Sequence, residues 1–270
     1  MEPIHIVFDI GGTKTRVAAV DEGTALRDIT IFETSPKPEE GLSELINKMR
    51  TIAGDYPVGA LCGGAPGTVR DNELLSAHNL PLWGGVAISE RLSDTFEAPT
   101  TLFNDAELVG LGEYYFGAGK GEKDMIYVTV STGVGGVHIV DGEVDKGKYN
   151  AEIGHQIVKR AELEDLISGT AVEKKYGVHP KDLDDINILN GLADTLAQGL
   201  YDNVLHWSPE AIVLGGSMIV GKNGIPVDRV KLTLDKMLKQ YYPETPRVYK
   251  AKLGDHGGLY GGMGYLARNM

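Results

Sequence analysis

The sequence predicts a duplicated α/β protein of two lobes, and three observations carry that reading. Two glycine-rich turns stand out, Asp9-Ile10-Gly11-Gly12-Thr13-Lys14-Thr15 and Ser131-Thr132-Gly133-Val134-Gly135-Gly136. Each sits between short apolar runs: Ile4 to Phe8 and Arg16 to Val20 around the first, Ile126 to Val130 and Val137 to Val140 around the second. Each therefore reads as a β-hairpin whose turn exposes backbone N–H groups, which is what a phosphate needs. The third observation is order: strand-rich starts followed by helical patterning occur twice, which argues for duplication rather than a barrel. Two related lobes facing one nucleotide are the expectation.

Residues 4–20 form the first hairpin and 26–33 add a third strand. Glu39 to Ala53 has Leu42, Leu45, Ile46 and Met49 at helical spacing, with Pro38 just ahead. Val58 to Cys62 is a short apolar strand running into Gly63-Gly64-Ala65-Pro66-Gly67. Ile88 to Thr95 reads as helix, Thr100 to Phe103 as strand, and Asp105 to Phe116 as helix, ahead of the linker Gly117-Ala118-Gly119-Lys120-Gly121. After the second hairpin, Leu163 to Tyr176 and Ile186 to His206 are helical. The latter lines up Leu189, Leu192, Ala193, Leu196, Leu200 and Val204. Ala211 to Leu214 is a strand ending in Gly215-Gly216-Ser217, Val227 to Tyr241 a helix, and Val248 to Ala251 a strand. Gly257 to Ala267 alternates glycines with Leu259, Tyr260, Met263, Tyr265 and Leu266. Glycine costs roughly 1 kcal/mol in a helix, so a helix here must gain by unusually close packing, and a loop is the alternative. The lobes divide near 104–118, giving 1–105 and 106–256, with 257–270 returning to the first.

A chain of 270 residues suffices for two modest domains. With 42% hydrophobic and 24% charged residues the balance is that of an ordinary soluble protein. The net charge of −12 repels nucleic acid and anionic membrane, so neither is an expected partner. A small polyanion such as ATP can still bind, because local N–H groups outweigh the distant field. The lone cysteine, Cys62, rules out an intramolecular disulfide and a Cys₃His or Cys₄ zinc site. No apolar run is long enough to span a membrane, and the N-terminus enters a strand without a signal peptide, so a reducing cytoplasm is expected.

In the first turn, Gly11 and Gly12 allow close backbone approach to a ligand. Thr13 and Lys14 add a hydroxyl and a cation, and Asp9 at the strand end could hold a hydrated Mg²⁺. A plain hairpin with a solvated Asp is the alternative. The Walker pattern is absent. The second turn is followed by a β-run (Val137, Ile139, Val140), so it is not the dinucleotide turn that opens a helix. Asn104-Asp105 lies at a strand-to-helix junction, where Asn104 caps the helix and Glu107 completes a capping box. Capping explains Asp105 less well, and a carboxylate there could accept a proton from a substrate hydroxyl. Glu152 and His155, with Glu164 nine residues on, offer two acceptors and a ring able to bind vicinal hydroxyls, the chemistry of sugar recognition; surface residues are the alternative. HExxH does not fit. Gly215-Gly216 could let a flat base approach the backbone, or simply turn the strand; Pro66-Gly67 reads as a type II turn.

Taken together these segments resemble the ROK family (repressors, open reading frames and sugar kinases) of the actin/hexokinase/Hsp70 superfamily. The resemblance runs in order through Asp9 to Lys14, Pro66-Gly67, Asn79 in Asn-Leu-Pro-Leu-Trp83, Asn104-Asp105, Thr132 to Gly136, Glu152 to His155, Leu163-Glu164 with Ser168-Gly169, Val213 to Gly216, and the final glycine-rich segment. It implies a two-lobe actin-like ATPase fold, a duplicated ribonuclease H-like α/β arrangement with an inter-lobe cleft. It implies ATP phosphates held at Gly11, Gly12, Thr13, Lys14, Thr132, Gly133 and Gly135, with Gly215 and Gly216 by the adenosine. Asp105 matches the general base. Gly67, Asn79, Asn104, Asp105, Glu152, His155 and Glu164 match sugar contacts, and Asp9 the acid near Mg²⁺, through water.

Three departures accompany it. The family's cysteine-rich zinc segment is replaced by Lys159-Arg160-Ala161-Glu162, so no zinc site is expected. In zinc-bearing relatives the metal fixes the His ring; here another group must orient His155, and a backbone carbonyl is the expectation. Ser131 and Val137 stand where glycines are common. No helix-turn-helix extension precedes residue 1, which favours the kinase branch over the repressors. The resemblance thus implies a cytoplasmic ATP-dependent kinase for the primary hydroxyl of a hexose. Glucose is the first choice, with mannose, fructose or an N-acetylhexosamine open, and a homodimer is expected because relatives form one. The alternatives are a non-catalytic sugar sensor of the same fold and an Hsp70- or actin-like ATPase.

Overall fold

Two five-stranded sheets share the same strand order. The computed structural model describes residues 2–21 and 25–269. It divides into one unit of Met1–Tyr115, Lys146–Asn150 and Asp255–Met270 and another of Phe116–Asp145 and Ala151–Gly254.

In the first unit, β1 (Ile4–Ile10) and β2 (Lys14–Asp21) form the hairpin, β3 (Ala25–Glu33) adds to its edge, and α1 (Pro38–Ala53) leads into β4 (Val58–Ala65). A small hairpin of β5 (Thr68–Arg70) and β6 (Glu73–Ser76) precedes α2 (Ile88–Phe96), β7 (Thr100–Asn104) and α3 (Asp105–Tyr115). The sheet order is β3-β2-β1-β4-β7, antiparallel through the hairpin and parallel from β1 to β7. The later residues of β1 are buried without alternation because helices cover both faces. On one face α1 and α2 bring Leu42, Leu45, Met49, Ile88 and Leu92, all essentially fully buried. Each such side chain contributes about 1.5–3 kcal/mol by leaving water.

The second unit has β8 (Asp124–Val130), β9 (Val134–Val140), β10 (Glu143–Val144), β11 (Ile157–Val158), β12 (Ala161–Glu162), α4 (Leu163–Ile167) and α5 (Gly169–Tyr176). It continues with α6 (Ile186–Trp207), β13 (Ala211–Gly215), α7 (Ser217–Val220), α8 (Val227–Leu238) and β14 (Arg247–Lys250). Its order, β10-β9-β8-β13-β14, repeats that of the first sheet, again antiparallel then parallel. The apolar stripe read from α6 packs in one core with Ile126, Val128, Ile212, Leu214 and Leu234.

The chain then adds α9 (Gly257–Asn269) to the first unit. The glycine-rich stretch is a helix, and close packing is the reason. A Cβ on Gly261 would fall 1.8 Å from the Leu108 carbonyl oxygen, so only glycine lets α9 lie this near α3.

Several boundaries differ from the sequence reading. The division falls after Tyr115, inside the expected stretch 104–118 but later than the 105 given for it, so α3 belongs with the sheet whose β7 feeds it. The single helix expected over 163–176 breaks at Ser168, whose buried side chain accepts from the Ala171 N–H at 3.1 Å and caps a new helix. The helix expected to reach Tyr241 ends at Leu238. The short hairpins β5–β6 and β11–β12 lack the length for a periodic signal.

Candidate active site

Parallel neighbours in the first sheet end side by side. β1 delivers Asp9, β4 ends at Ala65 just before Pro66-Gly67, and β7 ends at Asn104 just before Asp105. Asp9 pairs with Gly64 and Ala65 with Asn104, so these carboxyl ends share one rim, where ligands gather in open α/β sheets.

Asp105 opens α3, and its Oδ1 accepts from the Ala106 N–H at 2.9 Å. Burial, with the Asp9 charge adding to it, raises its carboxyl from the usual 3.8 to about 7, against the pull of the backbone N–H groups. Asp9 is 8% exposed, and burial lifts it to about 6. Arg16 opposes that rise with Nη1 3.9 Å from Asp9 Oδ2, while Asp255 adds to it. Two carboxyls with raised affinity for protons on one rim mark a working site more than a stabilising one.

The capping box forms. Asn104 Oδ1 accepts from the N–H groups of Ala106 (2.9 Å) and Glu107 (3.3 Å), and Glu107 Oε2 accepts from the Asn104 N–H at 3.2 Å. Asn104 Nδ2 also donates to the Gly67 carbonyl at 2.8 Å, tying the end of β4 to the start of α3. Gly67 has φ +127°, and a Cβ there would fall 1.9 Å from the Ser76 oxygen, so the residue must be glycine. Buried Glu107 takes a further bond from Asn150 Nδ2 at 2.6 Å. A cavity of ≈ 600 Å³ in this unit is lined by Asn72, Leu102, Glu107, Lys146, Tyr149 and Asn150 among others, and so meets the capping box at Glu107.

In the first turn the Gly11 N–H closes on the Lys14 carbonyl at 3.0 Å. Gly12, Thr13 and Lys14 are exposed, and among the described residues the N–H groups of Gly12 and Thr13 meet no protein acceptor. A Cβ on Gly12 would lie 3.4 Å from that of Asn79, so Asn79 sits against this turn. Open N–H donors beside a lysine suit a phosphate. Among the described residues no cluster of three His, Cys, Asp or Glu side chains could cage a metal. A single carboxylate such as Asp9 would hold a cation largely through that cation's own water, as Mg²⁺ is commonly held.

In the second unit the turn after β8 is braced from below. The Ser131 N–H meets the Gly133 carbonyl at 2.8 Å, and the Val134 N–H donates to Glu164 Oε2 at 2.7 Å. Glu164, expected as a sugar contact, thus also holds the phosphate-type turn, leaving the Thr132 and Gly133 N–H groups as its open donors among the described residues. Gly135 lies within β9, opposite Thr129. Gly215 ends β13, the parallel neighbour of β8, and Gly216 follows it with φ +85°. His155 ends a short helical turn, Ile153–His155. Its Nδ1 lies 2.6 Å from Glu162 Oε2, and its Nε2 lies 3.9 Å from Glu152 Oε2. The expected backbone carbonyl is not the group at Nδ1; a carboxylate is. The hydrogen bond to Glu162 is the main reason the ring holds its proton more tightly than usual.

Sequence reasoning missed Arg16, Glu162 and Asn150. Arg16 carried a signal, a cation within the apolar run Thr15 to Val20. Glu162 and Asn150 carried none, because hairpin return and chain crossing bring them to their partners.

A sequence model of the ROK family matches residues 5–269. The fructokinase of Pediococcus pentosaceus is 25% identical over 281 residues, covering 95% of this chain and 95% of its own. The crystal structure of a ROK hexokinase from Thermus thermophilus matches with a TM-score of 0.86 and 25% identity, over 98% of this chain and 99% of that one. A ROK family glucokinase from Streptomyces griseus, solved with glucose and AMPPNP, matches with a TM-score of 0.80 and 26% identity, over 99% of this chain and 100% of that one.

Proposed function

The chain belongs to the ROK family, and from that premise we infer that it is a sugar kinase, which transfers a phosphoryl group from ATP to the primary hydroxyl of a hexose, glucose first. The observation that carries this reading is Asp105, a carboxyl lifted to about 7 at the head of α3. Near neutral pH such a group accepts a proton readily. As the hydroxyl oxygen bonds to the γ-phosphorus, its proton passes to Asp105 Oδ, the bond from γ-phosphorus to the bridging oxygen breaks, and ADP leaves. Positioning and charge stabilisation supply most of the rate in such transfers.

The N–H groups of Gly12, Thr13, Thr132 and Gly133, with Lys14, hold the phosphates in this proposal. Gly215 and Gly216 lie by the adenosine. Asp9 holds Mg²⁺ through water; when bound, the ion neutralises charge on the phosphate oxygens. Gly67, Asn79, Asn104, Glu152, His155 and Glu164 hold the sugar. Relatives named for fructose and for glucose both match the chain, so the preference for glucose rests on Asn79, which resembles glucokinase-like members. The working form is a cytoplasmic homodimer, which light scattering checks.

The test is a rate screen over glucose, mannose, fructose, N-acetylmannosamine and N-acetylglucosamine with Mg-ATP, and with polyphosphate as the alternative donor. The expected result is sugar-dependent ADP formation with the highest kcat/KM for glucose. Sugar binding by calorimetry without any ADP would establish a sensor instead, and ATP hydrolysis indifferent to sugar would establish an ATPase.

A further inference from the structure

The His155–Glu162 contact is built by a return of the chain. β11 and β12 pair antiparallel, with Ile157 opposite Glu162 and Val158 opposite Ala161, and the Leu163 N–H closes on the Gln156 carbonyl at 2.9 Å. This brings Glu162, seven residues after His155, back beside the imidazole, 2.6 Å from Nδ1. The side chains are 45% and 44% exposed, so the pair adds little to stability. Glu162 caps no helix with its side chain, although it sits at the N-cap of α4. A half-exposed imidazole without such a partner would rotate among several rotamers. Three acidic groups face the ring: Glu162 at Nδ1, Glu152 near Nε2, and Glu164 from α4.

Building on the reading of His155 as a sugar contact, we propose that Glu162 is a positioning residue: its carboxylate holds the Nδ1–H of His155, fixing both the tautomer and the ring plane so that Nε2 is the nitrogen presented to a sugar hydroxyl. A short, charge-assisted N–H···O bond of this kind is stronger and more directional than a neutral one. A proton fixed on Nδ1 decides what the other nitrogen can do. Consistent with this, Glu162 strengthens the hold of the ring on its proton, and Glu152 and Glu164 act in the same sense.

The experiment compares wild type with Glu162→Ala, Glu162→Gln and Glu162→Asp. It reads hexose KM, kcat and ATP KM at saturating co-substrate, together with the ¹⁵N resonances of the His155 ring in the protein without ligands. Glu162→Ala should raise the hexose KM about five- to tenfold, the worth of one hydrogen bond. It should leave kcat and the ATP KM within about twofold and move the Nδ1 resonance away from its protonated position. Glu162→Asp should restore part of both effects, and Glu162→Gln should fall between. An unchanged hexose KM in Glu162→Ala, or an unchanged Nδ1 resonance, overturns the proposal. If wild type phosphorylates no hexose, the functional reading fails instead, and the resonances alone still decide whether Glu162 fixes the ring.

Discussion

Asn104 and Glu107 bond each other in both directions across the first turn of α3, side-chain oxygen to backbone N–H each way, at 3.3 and 3.2 Å. Asp105 lies between them in sequence. The cap that starts the helix therefore also fixes the backbone from which the proposed base projects.

Glu107→Ala removes the acceptor for the Asn104 N–H and for Asn150 Nδ2, both in part-buried bonds. Each unsatisfied donor costs about 1–3 kcal/mol. The melting temperature should drop by several degrees, and kcat should fall with it because Asp105 loses its fixed seat. Calorimetric melts and initial rates on the same preparation check this.

Asp105→Asn should lower kcat by at least about a hundredfold with much less change in sugar binding, since a positioned base contributes about 10²–10⁴-fold. Near-normal turnover in this variant would reject Asp105 as the base.

The same substitution should stabilise the fold. Asp105 rises from 3.8 to about 7 on folding, so between those values the folded state binds more protons than the unfolded one. Stability contributed by this group is present below pH 4 and is lost as pH rises towards 7. Asp105→Asn removes that loss, so its melting temperature should exceed wild type at pH 8 and converge with it at pH 4. In wild type, kcat/KM should fall as pH drops below about 7, where the carboxyl becomes protonated.

Gly261→Ala sets a Cβ 1.8 Å from the Leu108 carbonyl oxygen, a backbone atom that cannot swing aside. Overpacking costs typically 1–3 kcal/mol and more when backbone must move. The variant should unfold at lower denaturant than Gly191→Ala, where nothing lies within reach of the new methyl.

Glu164→Ala frees the Val134 N–H and loosens the turn after β8. It should raise the KM for ATP as well as for sugar. A residue that touched sugar alone would leave the ATP value unchanged.

Much of the fold was legible because periodic signals are local. The stripe on α6, the strands of both hairpins and the cap at Asn104 are each written within about twenty residues. The break at Ser168 was hidden because a serine inside a helical pattern reads the same whether it points to solvent or caps a new helix. The glycines of α9 left helix and loop both open, since only the approach of α3 explains them. In the site, clustered motifs drew attention to Asp9, Asp105, Glu152 and His155, while Glu162 and Asn150 drew none. Their partners lie seven and forty-three positions away, and backbone routing alone makes them neighbours.

Synthesis order gives α9 a consequence. Val7 and the Cys62 carbonyl, both made before the second unit, lie against Gly262, which leaves the ribosome only after every strand of the second unit. The second unit can collapse as soon as it emerges, while the first must wait with an apolar flank open. A nascent chain halted before residue 257 should thus present that flank to chaperones, and release of the remaining residues should withdraw it.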